Sequence, residues 1–177
     1  MALDTLTDID WSTWTPTVQA TLLFVVRDGQ VLLIQKKRGL GAGKVNGPGG
    51  KLDPGETPLA CALRETEEEI GVRAVHARPA GELRFHFVDG LRLFCTVFRA
   101  DDALGEPRET AEAIPFWAPA DALPYDAMWA DDRLWLPALL AERPFRLRAL
   151  FDDDTMLDAA LEVVAETSAM TQTDQHE

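Results

Sequence analysis

The chain has 177 residues, 46% of them hydrophobic, which suffices for one well-buried core and gives no reason to divide it. Thirty acidic against seventeen basic residues leave a formal net charge of −13, which repels polyphosphate backbones and excludes non-specific binding of DNA or RNA. An anionic ligand has to be met locally, by metal ions or by the few clustered cations.

Residues Met1 to Pro16 are rich in Asp, Thr and Trp without sustained periodicity and read as an N-terminal appendage, with Trp11 and Trp14 available to dock it. Met1-Ala2-Leu3-Asp4 lacks a basic stretch followed by an apolar run, and no segment approaches the eighteen or so apolar residues of a membrane span, so a cytoplasmic protein without a membrane partner is expected. The domain proper is read as residues 17–165. Ala20 to Val26 and Gln30 to Gln35 are apolar, β-branched runs around Arg27-Asp28-Gly29, and Asp-Gly predicts a hairpin. A glycine-rich loop, Gly39 to Gly55, leads into a helix with Thr57 as N-cap, Pro58 at its first position and Gly71 closing it. Leu83 to Val88 and Leu91 to Phe98 predict a second hairpin around Asp89-Gly90, and Ile114 to Ala118 a short strand. A second helix is expected over Asp131 to Arg143, confined to its later part by Pro137. Glu166 to Glu177 read as a polar tail. Hairpins mixed with two or three helices predict an α/β (α+β layered) domain with a mixed sheet.

In the first helix, Leu59, Leu63, Thr66 and Ile70 form one stripe at helical spacing and give it a face to bury. Glu65, Glu68 and Glu69 stand at i, i+3 and i+4 on another face, next to Arg64, and such carboxylates repel each other unless a cation intervenes. Hard oxygen ligands at this density suit Mg²⁺ or Mn²⁺, which bridge carboxylates to phosphate oxygens; taken alone, a Glu-rich helix face is more often solvated surface. Cys61 and Cys95 have no partner at metal-ligand spacing and read as small core residues.

The wider pattern changes that balance. Gly50, then Glu56 after five residues, then after seven more Arg64-Glu65-Thr66-Glu67-Glu68-Glu69-Ile70-Gly71-Val72, resembles the signature box of the Nudix hydrolases, with Thr66 where a larger aliphatic is commoner. The resemblance implies the Nudix fold, a mixed β-sheet sandwiched between helices, and a helix that holds one to three divalent ions against a diphosphate linkage while a water attacks phosphorus. It gives Glu65, Glu68 and Glu69 ligand roles, one of them also taking the water's proton. Glu56 becomes a helper acid and Arg64 the residue that orients the glutamates, and the carbonyl of Gly49 completes the metal shell.

The box identifies chemistry and not substrate. Outside it, the stretches Lys36 to Gly50 and Asp126 to Trp135 resemble the oxidised purine nucleoside triphosphatases, relatives of bacterial MutT, and the similarity runs from about Thr21 to Glu162. By that resemblance Thr21 lines a base pocket, Trp129 offers a flat face on which a purine stacks, and Asp131 and Asp132 read the base edge. Two adjacent carboxylates in a dry pocket repel, so one holds a proton and presents a donor beside an acceptor. Asn46 faces the purine from the other side, Glu112 lies near the metal cluster and Lys36 beside the polyphosphate. Leu40 and Val45 depart from the pattern, standing where the relatives carry aromatics. Without the resemblance, Asn46 reads as a loop residue, Asp131-Asp132 as a helix-start signal and Trp129 as core.

The expectation is therefore a monomeric, Mg²⁺-dependent enzyme that cleaves 8-oxo-dGTP and 2-oxo-dATP to monophosphate and pyrophosphate. A Nudix hydrolase of another nucleoside diphosphate-linked metabolite, or a non-catalytic nucleotide sensor, stands as the alternative. Other motifs carry little: Gly39-Leu40-Gly41-Ala42-Gly43 lacks the dinucleotide spacing and opens no helix, and His76, His86 and His176 have no paired spacing for zinc. No serine sits in a nucleophile elbow.

Overall fold

The computed structural model describes residues 2–164, so the polar tail read at Glu166 to Glu177 lies outside the described residues. The first hairpin joins β1 (Val18–Arg27) to β2 (Gln30–Lys36) through Asp28 and Gly29, both at positive φ (53° and 72°), with Arg27 opposite Gln30. Two left-handed residues in a two-residue turn follow the right-handed strand twist, which is why Asp-Gly is such a strong signal.

Two short strands, β3 (Val45–Asn46) and β4 (Gly49–Lys51), come next, where the sequence reading has only loop from Gly39 to Gly55. β4 forms because it lies antiparallel along the first half of β1, with Thr21 opposite Gly50; glycines have poor strand propensity and pair here through that neighbour. Helix α1 (Pro58–Ile70) follows, then β5 (Arg73–Val75), β6 (Arg78–Phe87), β7 (Arg92–Ala100), β8 (Asp102–Leu104) and β9 (Ala113–Pro119). The last elements are α2 (Asp132–Leu140), β10 (Phe145–Asp152) and β11 (Thr155–Val163), the final hairpin being absent from the sequence reading.

β1 is the spine of the sheet. One edge runs parallel to β7, from Val18 beside Leu93 to Val25 beside Ala100, and the other meets β4 and then β2. The order is β11-β10-β6-β7-β1-β2-β3, with β9 antiparallel on β2 and β10 parallel to β6. β5 and β8 make a separate two-stranded ladder.

Alternate residues of β1 and β2 enter two cores. Leu23, Val25, Leu32 and Ile34 pack with Ala62 and Ile70 of α1, whereas Phe24 and Leu33 join the core that contains Trp135 and Leu139 of α2. A sheet buried on both faces needs apolar residues at consecutive positions, which accounts for the unbroken runs in the sequence. The architecture is a curled mixed sheet between two helices.

Two expectations about the helices need correction. α2 runs straight through Pro137 instead of starting after it. Pro137 and Arg133, whose carbonyl loses its i+4 donor, both lie on the exposed side, where water takes the missing bond's place. Leu59, assigned to the buried stripe of α1, is 41% exposed, because the helix turns Cys61, Ala62, Thr66 and Ile70 to the core.

The N-terminal segment lies against the sheet. The Leu6 amide donates to Asp158 Oδ2 of β11 at 2.9 Å, Trp14 Nε1 donates to His86 Nδ1 of β6 at 3.1 Å, and Arg92 Nε donates to the Thr15 carbonyl at 2.6 Å. Among the described residues, no helix is long and apolar enough to cross a membrane.

Candidate active site

Local signals fix α1 at both ends. Thr57 accepts from the Ala60 amide at 3.2 Å, and Gly71 adopts the left-handed conformation at φ 75° and donates to the Glu67 carbonyl at 2.8 Å. Thr66, fully buried, donates its hydroxyl to the Ala62 carbonyl at 2.7 Å, which satisfies a polar group on an apolar face.

Arg64 organises the acids around it. Its Nε and Nη2 grip both oxygens of Glu56 at 2.8 Å, while Nη1 donates to Glu65 Oε1 at 2.9 Å and to Glu68 Oε2 at 3.1 Å. The Arg64 guanidinium, followed by the Asp53 amide, holds the Glu56 carboxyl down at about 2. Glu65 is pushed up, chiefly by burial, against the opposing pull of Arg64. Glu69 is only 4% exposed, and burial raises its carboxyl to about 8; the Gly49 amide, at 3.3 Å, is its one hydrogen-bond donor among the described residues.

β4 brings a second wall against this helix. A Cβ on Gly49 would collide with the Thr21 carbonyl, so that position excludes a side chain, and one on Gly50 would fall 2.6 Å from both carboxylate oxygens of Glu65 and displace them. A cleft of about 360 Å³ results, lined by Glu65, Glu69, Glu112, Lys36, Arg38 and the Gly49-Gly50 backbone. Glu112 stands just before β9 and pairs with Arg38 Nη2 at 3.1 Å.

Of the acids singled out from the sequence, Glu65, Glu69 and Glu112 therefore face one space. Glu68 lies outside its lining, held by Arg64, and Glu56 sits behind Arg64. Among the described residues no three His, Cys, Asp or Glu side chains stand close enough to form a closed metal cage. The donor set nonetheless fits a hard divalent cation: carboxylate oxygens only, and in Glu69 a buried carboxylate whose charge one backbone amide does not balance.

A second cleft, of about 320 Å³, adjoins the first. Its walls are Phe85 and Phe87 from β6, Leu93 and Cys95 from β7, and Trp129, whose ring meets Phe87 and Phe151 edge-on at centroid distances of 6.3 and 5.4 Å. Its lining also includes Asp131 and Asp132, 1% and 3% exposed. Asp131 occupies the N-cap position of α2 but makes no capping bond; its Oδ2 instead accepts from Trp135 Nε1 at 2.8 Å. Asp131 Oδ1 and Asp132 Oδ2 are buried with no partner among the described residues.

Burial raises both carboxyls, and for Asp132 the neighbouring Asp131 adds to the effect, so each disfavours the ionised form of the pair. Asn46 lines the same cleft with its Oδ1 accepting the Gly47 amide at 2.8 Å. Thr21 also lines it, its hydroxyl 3.4 Å from Cys61 Sγ.

Lys36, Gly39, Gly49 and Gly50 border both clefts. Lys36 Nζ donates to the Leu40 carbonyl at 2.9 Å, and Leu40 lines the wall next to Trp129.

Sequence reasoning missed four features of this region. Phe85 and Phe87 alternate along a recognised strand, and period-two spacing puts them on one face. Trp135 follows Asp131 by four residues, the spacing at which helical side chains meet. Lys44 Nζ lies 5.4 Å from the Trp129 ring centroid, and Arg38 pairs with Glu112, neither of which a local signal announces.

Comparison with known proteins agrees with this geometry. The family model for the NUDIX domain matches residues 16–139. A zebrafish (Danio rerio) protein named oxidized purine nucleoside triphosphate hydrolase is 45% identical over 126 residues, 71% of this chain and 81% of that one. A mouse (Mus musculus) protein of the same name is 40% identical over 146 residues, 81% of this chain and 94% of its own. Among solved structures, the MutT mutator protein of Bacillus halodurans superposes with a TM-score of 0.74 at 27% identity, over 82% of this chain and 97% of that one. With the box residues gathered on and around α1, and the matched segment running from the start of β1 into α2, the chain belongs to the Nudix family.

Proposed function

We propose that this protein is a Mg²⁺-dependent hydrolase of oxidised purine nucleoside triphosphates, such as 8-oxo-dGTP and 2-oxo-dATP, releasing the monophosphate and pyrophosphate. The observation that carries the reading is the pair of buried, unpartnered oxygens on Asp131 and Asp132, at the end of an aromatic-walled cleft that opens onto the acidic helix.

With one proton between them, Asp131 and Asp132 offer an O–H donor beside a carboxylate acceptor. That pair complements the Watson–Crick edge of 8-oxoguanine, and with the proton moved to the other carboxyl it complements 2-oxoadenine. Trp129 supplies a stacking face worth roughly 1–3 kcal/mol per base. The Asn46 NH₂ donates to an acceptor on the opposite edge of the purine. The names of the zebrafish and mouse relatives point to the same substrates.

From the base, the phosphate chain passes between Lys36 and the Gly49-Gly50 backbone into the acidic cleft. There Glu65, Glu69 and Glu112 would hold Mg²⁺ with the Gly49 backbone, Glu68 joining once it leaves Arg64; Mn²⁺ suits the same donors. When bound, the ion neutralises phosphate charge and makes nearby water more acidic. Water oxygen bonds to phosphorus as the anhydride P–O bond breaks, the bond's electron pair leaves on the departing phosphate oxygen, and the water's proton passes to a glutamate of α1. Arg64 fixes the Glu65 rotamer, and Glu56 pins Arg64 from behind.

Incubating the purified protein with Mg²⁺ and 8-oxo-dGTP, 2-oxo-dATP, dGTP or ATP, and resolving products by chromatography, tests the reading. A higher kcat/KM for the two oxidised purines is expected; equal turnover of oxidised and ordinary purines overturns it.

A further inference from the structure

Four residues border both clefts, and this sharing gives the site a direction. Asp131, Asp132, Asn46 and Trp129 line only the aromatic cleft; Lys36, Gly39, Gly49 and Gly50 line both; Arg38, Glu65, Glu69 and Glu112 line only the acidic one. A ligand that starts at the aspartates and crosses the shared border enters the cleft that Arg38 lines with Glu65, Glu69 and Glu112.

Arg38 is the one cation whose side chain borders the acidic cleft without also bordering the aromatic one. Lys37, its neighbour, is turned away to Glu109 at 2.5 Å and to the Thr110 carbonyl at 2.8 Å. The Arg38 side chain is 64% exposed and is attached to the site only through Glu112, at 3.1 Å. A guanidinium presents a planar fork that matches two phosphate oxygens, and an exposed ion pair costs little to exchange for another acceptor.

We propose that Arg38 recognises the terminal phosphate of the substrate, exchanging Glu112 for it, and so makes the site prefer a nucleoside triphosphate to the corresponding diphosphate and hold the pyrophosphate product. This inference rests on the reading of the site as a nucleoside triphosphate hydrolase. Arg38 acts on ligand length only: the base is read at the far end of the aromatic cleft, and the acids of α1 do not touch Arg38. Its exposure also means that truncation leaves the fold unaltered.

The test compares wild type, Arg38→Ala and Arg38→Lys, each with a purine nucleoside triphosphate and the matching diphosphate, together with the inhibition constant of inorganic pyrophosphate. Loss of one charge-assisted contact is expected to lower the triphosphate-to-diphosphate ratio of kcat/KM about tenfold in Arg38→Ala and to weaken pyrophosphate inhibition by a similar factor. The effect is expected in KM, with kcat little changed, and Arg38→Lys should recover part of it. An unchanged ratio, or an equal fall for both chain lengths, overturns the proposal. Running the series with both an oxidised and an ordinary purine separates the two readings: a wild type blind to the base defeats the substrate assignment while the chain-length ratio is still measured.

Discussion

Trp135 Nε1 and Asp131 Oδ2 are joined at 2.8 Å across one turn of α2, so a buried indole consumes one oxygen of a buried carboxylate and leaves the other buried without a partner among the described residues. The pair fixes the direction in which Asp131 can bond. Trp135→Phe removes the donor, leaving both oxygens of Asp131 without a partner, and adds the cost of a void where the fully buried indole packs on Phe24 and Phe145. A loss of about 1–3 kcal/mol in unfolding free energy is expected from denaturant titration, together with weaker nucleotide binding.

The aspartate pair sets a pH dependence whose sign can be worked out. Asp131 is raised to about 6 and Asp132 well above its ordinary value, so between the unfolded and folded pKa values the folded chain binds more protons than the unfolded one. Stability therefore falls as pH rises through that window, from about pH 4 upward past about pH 6. Asp132→Asn removes one of the ionisations and is expected to be more stable than wild type at about pH 8, with the difference shrinking towards about pH 4. Thermal melts across that range check it, and parallel curves for the two proteins would refute it.

Glu69→Gln is expected to separate stability from activity. Burial without a balancing charge penalises the Glu69 carboxylate, and an amide of the same shape removes the penalty. A melting temperature at or above that of wild type, measured with a chelator present, should accompany a fall of more than about 10²-fold in turnover with Mg²⁺.

Arg64→Lys conserves charge and loses the fork that grips Glu56 while reaching Glu65 and Glu68. A fall of roughly 10–100-fold in kcat is expected with little change in KM for the nucleotide, since Arg64 acts by orienting the acids. Steady-state kinetics at saturating Mg²⁺ distinguish this from a general loss of binding.

Gly50→Ala places a methyl group 2.6 Å from the Glu65 oxygens and forces that side chain off its position. Overpacking of this kind costs about 1–3 kcal/mol. Activity is expected to drop further than stability, as seen by comparing melts with turnover, because the displaced group faces the acidic cleft.

What was readable in the sequence was local. Thr57, Pro58 and Gly71 announce α1 through caps that act within four residues, and Asp28-Gly29 and Asp89-Gly90 announce two hairpins through backbone angles that glycine tolerates. The third hairpin turns at Asp152 to Asp154, where Asp153 takes φ 52° without any glycine, so no turn signal marks it although Phe145, Leu147, Ala149 and Phe151 alternate. The strands β3 and β4 were equally silent, since two or three residues show no period and exist by virtue of β1. For the same reason the acids of α1 could be grouped from spacing, whereas the aromatic cleft draws Phe85, Leu93 and Trp129 from segments far apart in the chain.

The Gly49-Gly50 border between the clefts has no side chains to move, and β4 is held against β1 by a ladder that sets Thr21 opposite Gly50. This side of the span from the aspartates to the acids of α1 is accordingly built from backbone and acts as a fixed gauge, with Lys36 as the one side chain on the shared border. Under the proposed function, a nucleotide seated at one end would have its scissile bond set by its own length, so a base that failed to reach Asp131 and Asp132 would be penalised twice, once in lost contacts and again in a bond that stops short of the acids.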